Sequence, residues 1–397
     1  MKSGWRDTTF GDIFEISSSK RVLQKQWKTT GVPFYRAREI VKLAKEGCVT
    51  NELFISDDLF REFGNNYGVP KAGDLMVSAV GTLGACYVVQ PQDRFYYKDA
   101  SVLQFSAKQL IHPPFFQHAF RTNHILDQIH SGSGSTVGTY TISRAKETRI
   151  SLPPLAAQKR IAAILDAADA LRAKRREALA QLDALLQSTF LTLFGDPVTN
   201  PKQWPVATIG DLLSSTAYGT SKKAHQIETG VPCLRMNNIT FAGGWDFMSL
   251  KYVDLEPKEI SKNTVQKGQI LFNRTNSKEL VGKTAVYRRD EPMAFAGYLV
   301  RGITNSEADA EYISAYLNLP QGKAILQGMC KSIVGMANIN AQEFKSISIP
   351  KPPLLLQQKF SAIVESVERQ KSTQRAHLAD LDALFASLQH RAFRGEL

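Results

Sequence analysis

A chain that carries the same long helix twice must bury the two copies against each other or leave two apolar stripes in water. This sequence carries such a pair. Residues 153–194 and 352–393 align without a gap at an offset of 199, with 15 identities in 42 positions. The same offset places Trp5 on Trp204, Gly11-Asp12 on Gly210-Asp211, Gly31-Val32-Pro33 on Gly230-Val231-Pro232, and Arg36 on Arg235. Further along the register drifts, so that Val137-Gly138 meets Val334-Gly335 and Ile142 meets Ile339. A repeat of this length governs the whole fold. The chain reads as one unit of roughly 200 residues made twice, each a globular part followed by a long helix.

Each helix starts at a Pro-Pro pair, where the missing N–H costs nothing, and the first stops at a Gly-Asp-Pro sequence. Ile161, Ile164, Leu165, Ala168, Leu171, Leu179, Leu182, Leu185, Leu186 and Leu193 form one apolar stripe; Phe360, Ile363, Val364, Val367, Leu378, Leu381, Leu384, Phe385 and Leu388 form the other. About 40 helical residues make a rod of roughly 60 Å. Burying each large apolar side chain is worth about 1.5–3 kcal/mol, so the natural cover for each stripe is the other copy. A pseudo-two-fold pairing makes the rods antiparallel and sets the globular parts at opposite ends. The middle of each stripe is polar, at 172–177 and 369–377, and reads as a solvated face where the seam loosens or as a contact surface for a partner.

Within the globular parts, residues 73–90 and 268–288 have β-branched and aromatic runs flanking Gly and Asn turns, the pattern of hairpins. Residues 112–130 and 309–329 place apolar side chains at three- and four-residue spacing, the pattern of short helices. The expected fold is therefore α+β: two pseudo-symmetric globular domains, 1–150 and 198–350, joined by an antiparallel two-helix coiled coil from 151–197 and 351–397.

The net charge of +12 divides as +5 over 1–150 (19 basic, 14 acidic), +4 over 198–350 (17 and 13), and only +1 and +2 over the two helical segments. Positive excess on the two globular faces suits a polyanion such as DNA; the competing reading is solubility. No apolar run reaches the length of a signal peptide or membrane span, which points to the cytoplasm and to no membrane partner. Cys48, Cys86, Cys233 and Cys330 are far apart with no CxxC pair, so neither a zinc site nor a disulfide framework is expected.

The helical segments, ISLPPLAAQKRIAAILDAADAL with LDALLQSTFLTLFGDP and their echo ISIPKPPLLLQQKFSAIVESVE with LDALFASLQHRAFRGEL, resemble the central and C-terminal repeats of the specificity subunits of type I restriction–modification systems. GQILFNRTNSKELVGKTAVY, GVPFYRAREI and GVPCLRMNNI resemble that family's target recognition domains. The resemblance implies a DNA-binding specificity subunit without catalysis of its own, each domain reading one half of a bipartite asymmetric sequence on double-stranded DNA. It implies helices that fix the unread spacer and dock two modification (methyltransferase) subunits, with restriction subunits in the full complex. The chain would need no cofactor, S-adenosylmethionine belonging to the methyltransferase. The second helix departs from the first, with Glu365, Ser366, Glu368 and Arg369 where the first has Asp166, Ala167, Asp169 and Ala170, so the two partner sites are expected to be unequal. The alternatives are a self-contained metal-dependent nuclease and a coiled-coil scaffold that never touches DNA.

Catalytic motifs are not expected. Val281–Thr284 ends like a P-loop, but Ser277 stands where the first glycine belongs. Glu256-Pro257-Lys258 reads as a solvated loop, Asn318 to Gln321 lacks an aromatic stacker for a flipped base, and His112, His118, His124 and His130 fall on three faces of a helix. No metal site follows. Candidate DNA contacts are Ser19, Lys20, Arg21, Arg36, Arg38 and Ser78 in the first domain, and Ser221, Lys222, Lys223, Arg235, Asn237, Asn238, Arg274, Asn276, Ser277 and Lys278 in the second. The competing reading for each is a turn or surface residue, and for Arg36 and Arg235 a structural arginine holding a carboxylate. Residues 131–140 read as a flexible link or a phosphate-binding loop.

Overall fold

A computed structural model describes residues 4–131, 138–333 and 336–397; most of the glycine- and serine-rich loop within 131–140 lies outside the described residues. The chain divides into two compact units, 1–174 with 378–397 and 175–377. Each unit thus holds one globular part and half of each long helix, Leu155–Phe194 and Leu354–Phe393.

In the first unit, strands Phe14–Ser17, Val102–Ala107, Leu75–Ser78 and Cys86–Val88 form an antiparallel sheet in that order. In the second, Leu213–Tyr218, Leu299–Thr304, Ile270–Asn273 and Thr284–Val286 repeat it. Both expected hairpins are present, as are the short helix pairs Pro113–Ala119 with Asn123–His130 and Ala310–Asn318 with Pro320–Met329. Val32–Tyr35 and Val231–Leu234 each pair in parallel with a later strand, Tyr96–Tyr97 and Met293–Phe295. The globular parts open and close on paired strands, Arg6–Thr9 with Arg149–Leu152 and Val206–Thr208 with Ser348–Pro350.

The repeated residues have matching local reasons. Asp12 accepts from Thr9 N (3.0 Å) and Thr9 Oγ1 (2.7 Å); Asp211 accepts from Thr208 N (2.8 Å) and Oγ1 (2.7 Å). Beside them a Cβ on Gly11 would sit 2.9 Å from Lys146 O, and one on Gly210 3.1 Å from Lys345 O, so a side chain would crowd the backbone at both turns. At the base of each long helix a buried glutamine is a staple. Gln158 accepts from His112 N (2.9 Å) and donates to Pro153 O (2.9 Å). Gln357, its counterpart, accepts from Asp309 N (2.9 Å) and donates to Pro352 O (2.8 Å).

The helices run antiparallel within each unit. From Arg160 to Arg172 the partners move backward from Leu397 to Asp382; from Asp183 to Phe190 they move from Lys371 to Phe360. In the first unit Ile161, Leu165, Ala168, Phe385 and Ala392 join the domain core around Phe10, Phe14, Phe105, Phe116 and Phe120. In the second, Phe190, Phe194, Phe360 and Val364 do the same around Tyr312. Two expectations are corrected. Leu171, Leu185 and Leu384 are 51%, 47% and 49% exposed, because a two-helix seam is narrower than the apolar stripe the sequence carries. The polar middle contributes to the seam: Arg172 pairs with Asp382 (2.6 Å), Lys371 with Asp183 (2.7 Å), and Arg175 donates to Gln374, its own counterpart, at 2.7 Å.

Replacing Gln158 or Gln357 by Leu should leave two and three backbone groups, respectively, without that partner and lower stability by about 1–3 kcal/mol. Hydrogen exchange on each variant should show faster opening confined to the unit that carries the change.

Candidate nucleic-acid interface

The first strand of each main sheet ends in a polar, basic loop: Ser19-Lys20-Arg21 after Phe14–Ser17, and Ser221-Lys222-Lys223 after Leu213–Tyr218. Both loops are anchored to the same kind of strand. Ser19 Oγ donates to Tyr97 O (2.7 Å), and Thr220 N donates to Phe295 O (2.9 Å). Lys98 N and Ala296 N then reach Tyr35 O and Leu234 O, the last residues of the central parallel strands. Arg36 and Arg235 follow directly. The backbone therefore brings Ser19, Lys20, Arg21 and Arg36 together in one unit, and Ser221, Lys222, Lys223 and Arg235 in the other.

The cations differ in how they are held. Arg21 pairs with Asp99 (2.7 Å) and Lys222 with Glu259 (2.6 Å). Lys20 lies over the ring of Tyr67, 5.3 Å from its centroid, and Lys223 is exposed. Arg36 and Arg38 converge on Glu39, which is 2% exposed: Arg36 Nη2 is 2.9 Å and Arg38 Nε 2.5 Å from Oε1, while Arg36 N donates to Oε2 at 2.9 Å. Arg38 also pairs with Glu52. Burial alone would raise the Glu39 pKa; the hydrogen bonds from Arg36 and Arg38 outweigh it and hold the carboxyl below its ordinary value. In the second unit Asn238 fills the place of Glu39, accepting from Arg235 N at 2.9 Å, and Arg235 Nη2 turns instead to Ser249 O (3.0 Å). Arg36 thus has a carboxylate partner, whereas among the described residues no carboxylate pairs with Arg235.

Two candidates are not at the surface. Ser78 is fully buried, its hydroxyl bonded to Thr82 O and accepting from Ala85 N (2.9 Å). Asn238 is 1% exposed and also donates to Asp246 O (2.9 Å). Both close turns, since backbone groups inside a tight loop need partners. Asn237, beside the second, is exposed. Arg274 and Asn276 flank the start of strand Thr275–Asn276, which pairs with Met336–Asn338; Asn276 Oδ1 accepts from Ser277 N at 2.9 Å, and Lys278 is exposed. Sequence reasoning missed the aromatic edges: Tyr67, Tyr218 and Tyr298 are 58%, 43% and 52% exposed. No local signal announced them, since Tyr67 meets Lys20 and Tyr218 meets Arg274 from far along the chain.

Lys283, the lysine of the P-loop-like sequence, is buried and donates to Met236 O (2.8 Å) and Ile239 O (2.5 Å), so it is not presented to a phosphate. Among the described residues no group of three His, Cys, Asp or Glu side chains is placed to hold a metal ion, and no helix is long and apolar enough to cross a membrane.

A scaffold made twice, with different basic loops at the same place in each copy, defines a protein with two recognition domains. The family model of the type I restriction modification DNA specificity domain matches residues 2–181 and again 201–381, and the chain belongs to that family. The EcoKI specificity subunit of Escherichia coli strain K12, a type I restriction enzyme component, is 24% identical over 313 residues, 73% of this chain and 67% of that one. Among solved structures, the S subunit of a type I restriction-modification system from M. genitalium matches with a TM-score of 0.57 at 16% identity, over 98% of this chain and 96% of its own. A chain from a study of complex assembly and conformational transition in the type I R-M system matches at 0.55 and 18%, over 100% and 99%. These structural likenesses agree with the duplicated fold.

Glu39→Gln should lower stability at neutral pH by about 1–3 kcal/mol. Because the folded pKa lies below the ordinary 4.5, the wild-type advantage is complete above that value and is lost as pH falls through the folded one. Denaturant unfolding of both proteins at pH 7 and near pH 3 checks the convergence.

Proposed function

We propose that this chain is the sequence-reading subunit of a type I restriction–modification complex and performs no catalysis itself. Each domain reads one half of a bipartite, asymmetric duplex target, and the paired helices set the length of the unread gap. Two methyltransferase subunits, which bring S-adenosylmethionine, dock on the helices, and restriction subunits join them in the full nuclease. The work is done in the cytoplasm, where the DNA is.

The observation that carries this reading is the contrast between constant and changed residues across the repeat. Gln158 and Gln357, Asp12 and Asp211, and the cross-helix pairs recur at a spacing of 199, whereas the loops differ in charge and partners. One frame with two different reading surfaces suits two different half-sites. Ser19, Lys20, Arg21, Arg36, Arg38, Ser221, Lys222, Lys223, Arg235, Asn237, Arg274, Asn276, Ser277 and Lys278 are the proposed contacts, lysines gripping phosphate and arginines and asparagines reading base edges. Ser78 and Asn238 hold the loops that present them. Family membership does not favour a self-contained nuclease.

Affinity for duplex should fall steeply with salt and depend on sequence, with Lys223→Ala reducing the salt slope by about one; titrations at several salt concentrations measure both. A flat salt response would defeat the reading. Adding one helical turn to both long helices should lengthen the gap between half-sites and leave the half-sites themselves unchanged, as read from the positions of methylated adenines.

A further inference from the structure

Arg274 occupies the single-residue break between strands Ile270–Asn273 and Thr275–Asn276. Its backbone is fixed on both sides, N–H to Tyr298 O (3.0 Å) and carbonyl from Ile339 N (2.9 Å). Its guanidinium lies over the Tyr218 ring, 4.9 Å from the centroid, and the Tyr218 hydroxyl accepts from Ala341 N at 3.1 Å, which ties the ring down. Nε is buried without a partner. Among the described residues no carboxylate or carbonyl oxygen is bonded to this guanidinium, whereas Arg21, Arg36, Arg38 and Arg288 each have an acidic partner.

A partly buried guanidinium without an acceptor loses hydration and gains no pairing in return. The contact with the ring restrains the guanidinium. With Nε enclosed, the two Nη groups remain as a pair of donors that matches O6 and N7 of guanine. Lys223 and Lys278 are exposed and supply mobile charge of the kind that suits phosphate.

The first unit supplies the comparison. Ala79 has the same backbone partners in the same order, N–H to Ser101 O (2.9 Å) and carbonyl from Tyr140 N (2.9 Å), and Tyr140 stands 199 residues before Ile339. Ala79 is fully buried. One backbone position thus carries a presented arginine in one domain and a core alanine in the other.

We infer that Arg274, held against Tyr218, reads a guanine in the half-site of the second domain. The inference rests on the DNA-reading function proposed above. It is tested in cells that make the complete complex, by replacing the chain with Arg274→Lys or Arg274→Gln and sequencing every methylated site. The half-site of the second domain is the one that changes when residues 198–350 are exchanged. It should contain a guanine whose preference falls about ten- to a hundredfold with Lys. Gln should move that one letter toward adenine, a gain that misfolding cannot imitate, with the other half-site unaltered in both variants. The inference is overturned if that half-site has no guanine, if both variants keep the wild-type motif, or if methylation only weakens at every site with no letter altered, as a phosphate contact would give. Should deletion of the chain remove no methylated motif at all, the underlying DNA-reading function fails as well.

Discussion

Arg172 with Asp382 and Lys371 with Asp183 are a single ion pair made twice, since each partner stands 199 residues from its counterpart. Apolar seams alone tolerate sliding, because one leucine can replace another in the same hole. Lys371 is 4% exposed, and its amine meets both Asp183 and Glu368, at 2.7 and 2.5 Å. A shift by one turn would part that buried charge from Asp183 and leave it Glu368 of its own helix alone, a loss that disfavours the slipped register. The phenylalanine and leucine contacts therefore supply the area and the charge pairs supply the register. The same residues reach the domains: Asp169, bonded to Arg172 at 2.6 Å, also takes Arg121 of the first globular part at 2.7 Å.

Much of this was legible in the sequence. The repeat was visible because 15 identities in one gapless stretch exceed coincidence, and the hairpins and short helices followed from local periodicity. The seam was only half legible. Hydrophobicity marks Leu171, Leu185 and Leu384 as core, but which stripe positions face a neighbour depends on how narrow the contact is. The charged middle looked solvated because the sequence around Arg172 does not reveal that Asp382, 210 residues on, lies opposite.

At the candidate interface, the loops stand out in the sequence through their clustered Ser, Lys and Arg, yet side-chain duties do not. Ser78 and Asn238 have the polarity of surface residues and are buried at 0% and 1% because turn backbones need them. The Arg36 and Glu39 pairing was within reach, three residues apart. Glu311 shows what was out of reach: it forks onto Arg288 with two 2.6 Å bonds, and burial, the largest influence, keeps its carboxyl above the ordinary range despite that arginine. Nothing local to either residue announces the other.

The strand pairs that open and close each globular part have a genetic consequence. Arg6–Thr9 lies against Arg149–Leu152, and Val206–Thr208 against Ser348–Pro350, so the polypeptide enters and leaves each head at one spot. Everything between is a closed excursion from that spot. Recombination with breakpoints in these ribbons can exchange a whole head as a cassette and leave the long helices, with their glutamines and interhelical contacts, in place, so that a lineage can acquire a new vocabulary one word at a time.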